Sequence, residues 1–237
     1  MNITALERPT SLVDSVCQQL AKLIRGAGAE EDDRWLPGER SLAEKLGVSR
    51  SVVREATKRL EQQGMLEVQH GNGIKVVDRP HRPLSDSLSL LIPEMAERLQ
   101  QLNETRLSIE PDSAAYAAER ATKAQLRDLR RIHEGLEHAP DNDTAIQCDL
   151  AFHHAIADAS GNLIYRLVLD SLGELGIASR LRTIGRVGKF TGIEHHESIL
   201  QAIERRDAKA AREAMRIHIV VAGEDMDLPA LKIKKIK

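Results

Sequence analysis

The period of the apolar residues changes once between residues 41 and 77, and that change leaves few folds open. Residues 41–46 and 49–63 carry apolar side chains at helical spacing, whereas 66–68 and 74–77 carry them in alternation. Ser41 with Glu44 reads as the capping box of a short helix, and Gly47-Val48 as a tight turn. Ser49 reads as the cap of a second helix that Gly64 closes. Leu66-Glu67-Val68 and Ile74-Lys75-Val76-Val77 flank His70-Gly71-Asn72-Gly73. That is a β-hairpin, because Asn-Gly tolerates the positive φ angles of a tight primed turn. Ahead of these, Leu12, Val16, Leu20 and Ile24 form the i, i+4 stripe of an amphipathic helix over residues 9–25.

Three helices followed by a hairpin wing predict a winged helix-turn-helix over residues 1–79. Its second turn-linked helix carries Arg50, Arg54 and Lys58 at i, i+4 and i+8, with Arg59 beside them. Across 49–59 four basic residues face only Glu55, although residues 1–80 as a whole hold twelve basic and twelve acidic residues. Val52, Val53, Ala56 and Leu60 form the opposite, apolar stripe. One face of the helix can therefore pack while the other enters a major groove. Arginine reads guanine O6 and N7 through two parallel hydrogen bonds, and Ser49 and Ser51 can reach phosphate. The formal charge of the whole chain is −2, so DNA affinity must come from such local placement. One winged helix reads too few base pairs for genomic specificity, which predicts a homodimer on double-stranded, two-fold operator DNA.

Asp78 to Pro83 holds two prolines and no apolar period, and it is taken as the domain boundary. Beyond it every periodic segment is helical: 85–92, 94–120, 123–138, 144–159, 162–183, 193–206 and 208–224. Aromatic residues make up only 2 %, so the core must be built from Leu, Ile, Val and Ala, which suits packed helices. The expected fold is mainly α, with an all-α antiparallel helical bundle over residues 80–230. The tail from Leu231 to Lys237 alternates apolar residues with lysine and reads as a solvated end. No apolar run approaches the roughly 18 residues of a membrane helix, and the N-terminus has no signal pattern. Cys17 and Cys148 read as reduced thiols. These features together predict a soluble cytoplasmic protein with no membrane partner.

The bundle holds a constellation with metal-ligand chemistry. Asp149 and His153 are i, i+4 on a face shared with Phe152 and Ile156. His196 shares a face with Ile199, Leu200 and Ile203, and His218 with Ala211, Met215 and Val221. A buried carboxylate with three imidazoles is costly unless something compensates, and a divalent metal does so directly. His154 and His195 lie about 100° off these faces and are left out. One divalent transition metal per chain is expected, with Zn²⁺, Ni²⁺, Mn²⁺ and Fe²⁺ all suited to the donor set.

Leu36-Pro37-Gly38-Glu39-Arg40, Leu42-Ala43, Leu46-Gly47-Val48-Ser49-Arg50, Val53-Arg54-Glu55-Ala56 and Gly64-Met65-Leu66 closely resemble the GntR family of bacterial regulators. Asp149-x-x-Phe152-His153, Ser160-Gly161-Asn162, His196-x-x-Ile199-Leu200 and Ala211-x-x-Ala214-Met215-x-x-His218 resemble the FCD sensor domain of its FadR branch. The resemblance implies operator contacts from Arg40, Arg50, Arg54, His70 and Gly71, although the wing departs from the Gly-Arg-Gly-Thr of many relatives. It implies metal ligands at Asp149, His153, His196 and His218, and a small organic acid as effector. Arg106, on the helix that matches the family's first long sensor helix, is then a candidate carboxylate clamp; the alternative is a surface pair with Glu110 at i, i+4. Asn162 either caps its helix or lines the effector pocket.

Two other readings compete. A metal with open positions could activate water in a hydrolase, but the sequence shows no HExxH on a helix, no GxSxG and no glycine-rich phosphate loop. A structural metal in a regulator without effector is the second. The reading preferred on sequence is a dimeric, ligand-responsive regulator, a repressor more readily than an activator.

Overall fold

The computed structural model describes residues 11–26, 34–69, 73–77, 79, 81–91 and 94–227. The chain divides into two compact units between Pro83 and Leu84. In the first, α1 (Leu12–Gly26) is followed by β1 (Trp35–Leu36), α2 (Glu39–Leu46), α3 (Arg50–Gln62), β2 (Leu66–Gln69) and β3 (Gly73–Val76). This is the winged helix-turn-helix that the periods required. His70, Gly71 and Asn72 at the tip of the wing lie outside the described residues, as do residues 1–10 and the tail 231–237.

Local chemistry accounts for the turns. Gly47 sits at φ +65°, the left-handed conformation that lets the chain leave α2 at once. The Ser49 hydroxyl accepts a hydrogen bond from the Val52 amide at 3.4 Å and opens α3. The start of α2 differs from the sequence expectation. Gly38, in extended backbone after Pro37, is the N-cap, and Ser41 lies inside the first turn. No side chain caps α2, but Glu39 in its first turn complements the helix dipole. A third strand was also not foreseen: β1 pairs with β3 through Trp35↔Lys75 and Leu36↔Ile74, giving the order β1-β3-β2. Two residues are too few to show an alternation. Leu20, Val53, Ala56, Leu60, Leu66 and Ile74 close the core.

The second unit is all helical among the described residues. It begins within α4 (Arg82–Leu91) and continues through α5 (Met95–Arg120), α6 (Lys123–Glu137), α7 (Asn142–Ala159), α8 (Leu163–Ser171), α9 (Gly173–Val187), α10 (Phe190–Glu204) and α11 (Ala208–Asp225). The single helix expected over 162–183 is two, broken at Leu172 ahead of Gly173, a weak helix former. The helix expected from residue 193 begins three residues earlier. Capping is by Thr122 with Gln125 on α6, Asp141 on α7 and Asp207 on α11.

Helix α5 packs most extensively on α11, and together with α7 and α10 they enclose the core. Ala114, Ala117 and Ala118 let the helices approach; Phe152, Ile156, Ile199, Ile203, Met215 and Ile219 fill the space. At one crossing Gly223 of α11 lies so near the buried Asn103 amide of α5 that a Cβ there would collide with it. Pro111, inside α5, leaves the Leu107 carbonyl without its usual helical donor, just after Glu110. No helix among the described residues is long and apolar enough to cross a membrane. Both cysteines are free.

Candidate operator surface and candidate metal centre

In the first unit Arg40, Arg50, Arg54 and Lys58 line one concave surface between α2, α3 and the strands of the wing. Arg40 pairs with Glu44 at 3.2 Å, and Arg54 with Glu39 at 3.2 Å. Arg54 remains 55 % exposed, and exposed pairs of this kind contribute only about 0–1 kcal/mol, so phosphate or base can displace them cheaply. Ser49 and Ser51 share a hydrogen bond at 2.8 Å at the start of α3. Arg59 is used differently. It reaches Asp14 at 2.9 Å and Glu55 at 2.7 Å, which ties α3 to α1. The helix dipole adds to the site, because α3 presents the positive end of its backbone beside Ser49 and Arg50.

In the second unit, α7, α10 and α11 bring His153, His196 and His218 together, all three buried. One nitrogen of each lies within 4.8 Å of the others. The Nε2 atoms of His153 and His218 are 3.2 Å apart. Two nitrogens bound to one ion at about 2.0–2.1 Å stand roughly 3–3.4 Å apart, so this pair already has the spacing of a shared ion. Neither ring nitrogen of His196 has a hydrogen-bond partner among the described residues, although the side chain is wholly buried. An imidazole in that position lacks something to bind. The donor set therefore fits a divalent transition metal.

Asp149 stands beside the three histidines rather than among them. Arg180 donates from Nε to its Oδ1, and its Oδ2 lies 3.4 Å from His196 Nε2. Arg180 was not anticipated. Nor was the role of Glu110, which takes Arg106 Nε on one oxygen at 2.5 Å and His153 Nδ1 on the other. Arg106 and Glu110 are only 4 % and 2 % exposed, so the surface-pair alternative for them is ruled out by burial. Arginine can only donate, and Arg106 Nη2 lies 3.3 Å from His153 Nε2. That assigns the His153 proton to Nδ1, directed at Glu110, and makes Nε2, which both Arg106 and His218 approach, the unprotonated nitrogen. A carboxylate on the far nitrogen is the usual way to orient a metal-binding imidazole.

Electrostatics follow from burial. Burial alone would raise the Glu110 carboxyl, but Arg106 and His153 hold it well below the usual range. Burial opposes ionisation of Asp149 in the same way, and the Arg180 guanidinium overrides it. Burial pushes His196 down to about 3 despite Asp149, and lowers His153 and His218 as well. Neutral imidazoles beside ionised carboxylates are the protonation states that metal binding needs.

A cavity of about 50 Å³ opens beside this cluster, with Arg106, Asp149, Arg180 and His218 at its inner end. Asn162 is placed as the N-cap of α8, its side chain accepting from the Ile164 amide at 3.1 Å. Other residues line the cavity.

The sequence profile described as "Bacterial regulatory proteins, gntR family" matches residues 12–76, and that of the "FCD domain" matches residues 101–220. The chain is 32 % identical over 207 residues to the HTH-type transcriptional regulator LutR of Bacillus subtilis, covering 83 % of this chain and 93 % of that protein. It is 29 % identical to the HTH-type transcriptional repressor NanR of Citrobacter rodentium, covering 88 % of this chain and 82 % of the repressor. Among solved structures it resembles Streptococcus agalactiae GntR with a TM-score of 0.72 at 29 % identity, covering 90 % of this chain and 99 % of that one.

Proposed function

The chain belongs to the GntR family of bacterial transcription regulators with an FCD domain, and from that premise we propose that it is a repressor released from its operator by a small organic acid. Its relatives are named as regulators, not enzymes, which removes the hydrolase alternative. The observation that carries the effector reading is the cavity floor, where His218 of the three-histidine cluster meets Asp149 and the buried guanidiniums of Arg106 and Arg180.

His153, His196 and His218 would hold one divalent ion, with Asp149 Oδ2 as a fourth donor. When bound, the ion supplies positive charge and free coordination positions for carboxylate oxygens. The remaining work falls to the chain. Glu110 fixes the tautomer of His153, Arg180 holds Asp149 ionised, and Arg106 offers its outer guanidinium edge to the acid. Because the cavity wall draws on α5, α7, α9, α10 and α11 through Arg106, Asp149, Arg180, His195 and His218, an acid bound there favours one packing of the bundle over another. The repressor acts in the cytoplasm as a homodimer on a pseudo-palindromic operator, with Arg40, Arg50 and Arg54 at base edges or phosphates. Ser49, Ser51, Lys58 and the wing residues His70 and Gly71 add backbone contacts.

Titrating operator-bound protein with mono-, di- and tricarboxylates, once metal-loaded and once stripped, tests the reading. At least one acid should weaken operator binding roughly 5- to 150-fold in the loaded protein only. An acid that binds while operator affinity stays flat would leave the metal structural. On the DNA side, Arg54→Ala should cost about 1–3 kcal/mol on the operator and relax specificity. Lys58→Ala should weaken all sequences alike and reduce the salt slope by about one. Equal losses on operator and random DNA for Arg54→Ala would remove it from base recognition.

A further inference from the structure

The cavity beside the histidines has a second end, and its chemistry is different. Asp225 follows His218 by two helical turns on the same face of α11, and Val187 follows Arg180 by two turns on α9. Two turns span about 10 Å, so the cavity runs outward from the guanidiniums to a mouth that includes Val187, Lys189 and Asp225. Two charged groups stand at that mouth, and only one has its needs met. The Lys189 ammonium donates to the carbonyls of Leu136 at 3.3 Å, Glu137 at 3.0 Å and Ala139 at 2.7 Å, which uses all three of its protons.

Asp225 is half-buried and has no hydrogen bond or ion pair among the described residues. Burial raises its pKa; His195, also in the cavity wall, and Arg186 oppose this from a distance, and Arg186 lies 4.0 Å from Asp227 instead. In the same wall Ser179 donates toward Met226 Sδ at 3.0 Å and Thr183 toward the Ser179 carbonyl at 2.7 Å. The mouth therefore presents a partly solvated acceptor with no protein donor among the described residues. A ligand that covers Asp225 strips away its water, and that costs free energy unless the ligand brings a donor of its own.

We propose that Asp225 accepts a hydrogen bond from a hydroxyl or ammonium group at the remote end of the effector, so that the cavity selects hydroxy- or amino-substituted acids over plain carboxylic acids. The inference rests on the acid reading above and adds a second point of recognition to it. Cationic groups at the floor take the carboxylate, and the anionic group at the mouth takes the donor. A plain acid of the same length would leave Asp225 desolvated and unpaired, and a dicarboxylate would set two like charges together.

The test uses the metal-loaded full chain and the 4-, 5- and 6-carbon ω-hydroxy and ω-amino acids, each beside its unsubstituted parent, with affinities measured by calorimetry. At the best-fitting length the substituted acid should bind roughly tenfold or more tightly than its parent. Asp225→Ala should bring the two within about twofold, the substituted acid losing its partner and the parent no longer burying an unpaired carboxylate, with the metal content unchanged. Asp225→Asn should keep the preference for the hydroxy acid, since its carbonyl still accepts, and lose most of the preference for the ammonium. Equal binding of parent and substituted acids to the wild type, or undiminished discrimination in Asp225→Ala, would overturn the assignment. If no acid of any length bound, the acid reading itself would fall, and the selection with it.

Discussion

Replacing Glu110 with alanine is expected to destabilise the protein by about 3–5 kcal/mol and to weaken metal binding roughly 10- to 100-fold. The carboxylate is 2 % exposed and serves two partners, Arg106 Nε and His153 Nδ1. Removing it leaves a buried guanidinium with no opposite charge, which is the costly way to break an ion pair. It also frees the His153 ring to rotate and to move its proton to Nε2, the nitrogen that faces His218. Glu110→Gln is the informative companion: it preserves volume and can still accept from Arg106, so its stability loss should be smaller while the metal affinity still falls. Urea unfolding of metal-free protein and competitive chelation read the two effects separately. A loss below about 1 kcal/mol for Glu110→Ala would mean that solvent or a neighbouring group compensates Arg106.

Acidification should act in the same direction through different atoms. His196 is held down to about 3 in the folded chain, chiefly by burial, whereas in the unfolded chain it titrates near 6.5. As pH falls below about 6.5 the unfolded state takes up this proton and the folded state does not, so stability is lost. By pH 4.5 that single histidine accounts for about 2–3 kcal/mol, and His153 and His218, lowered for the same reason, add to it. Below about pH 5 the depressed carboxyls of Glu110 and Asp149 extend the loss, because their stabilisation exists only above the unfolded pKa. Bound metal steepens the curve, since protons and metal compete for the same nitrogens. Stability against pH from 7.5 to 4.5, with His196→Ala beside the wild type, measures this. A curve of equal steepness in the variant would exclude His196 as a source.

The fold was legible wherever a period ran long enough to be seen. Amphipathic stripes on α1, α3 and α6 and the alternation around the wing are direct consequences of burial on one face. β1 was not legible, because two residues have no period, and neither was the break at Leu172, where apolar spacing continues across the α8–α9 junction. Within the site, the histidines could be found because each sits in line with Ile, Leu or Met on its helix. Glu110 was open to the same logic: with Arg106 it falls on the stripe Leu99, Leu102, Asn103, Ser113, Ala114 and Ala117, and a charged pair inside such a stripe is buried. Arg180 left no comparable signal. Its face of α9 consists of Gly176, Ser179 and Thr183, small and polar residues that look the same on a surface as in a cavity wall.

The near contact of Gly223 with Asn103 constrains how such a bundle can respond at all. Sliding α11 along α5 by one residue would bring Ala222 or Glu224, each with a Cβ, to a place where only hydrogen fits. Sliding α11 along α5 therefore costs at least the displacement of the buried Asn103 amide, as a tooth resists leaving its notch. On the other side of the cavity α9 packs far less extensively on α5 and α11 than those two pack on each other. That helix has an independent start at Gly173, contributes Arg180 to the floor, and ends at Gly188 with φ +76°. The α5–α11 pair is the more firmly joined side of the cavity, and α9 the more loosely joined.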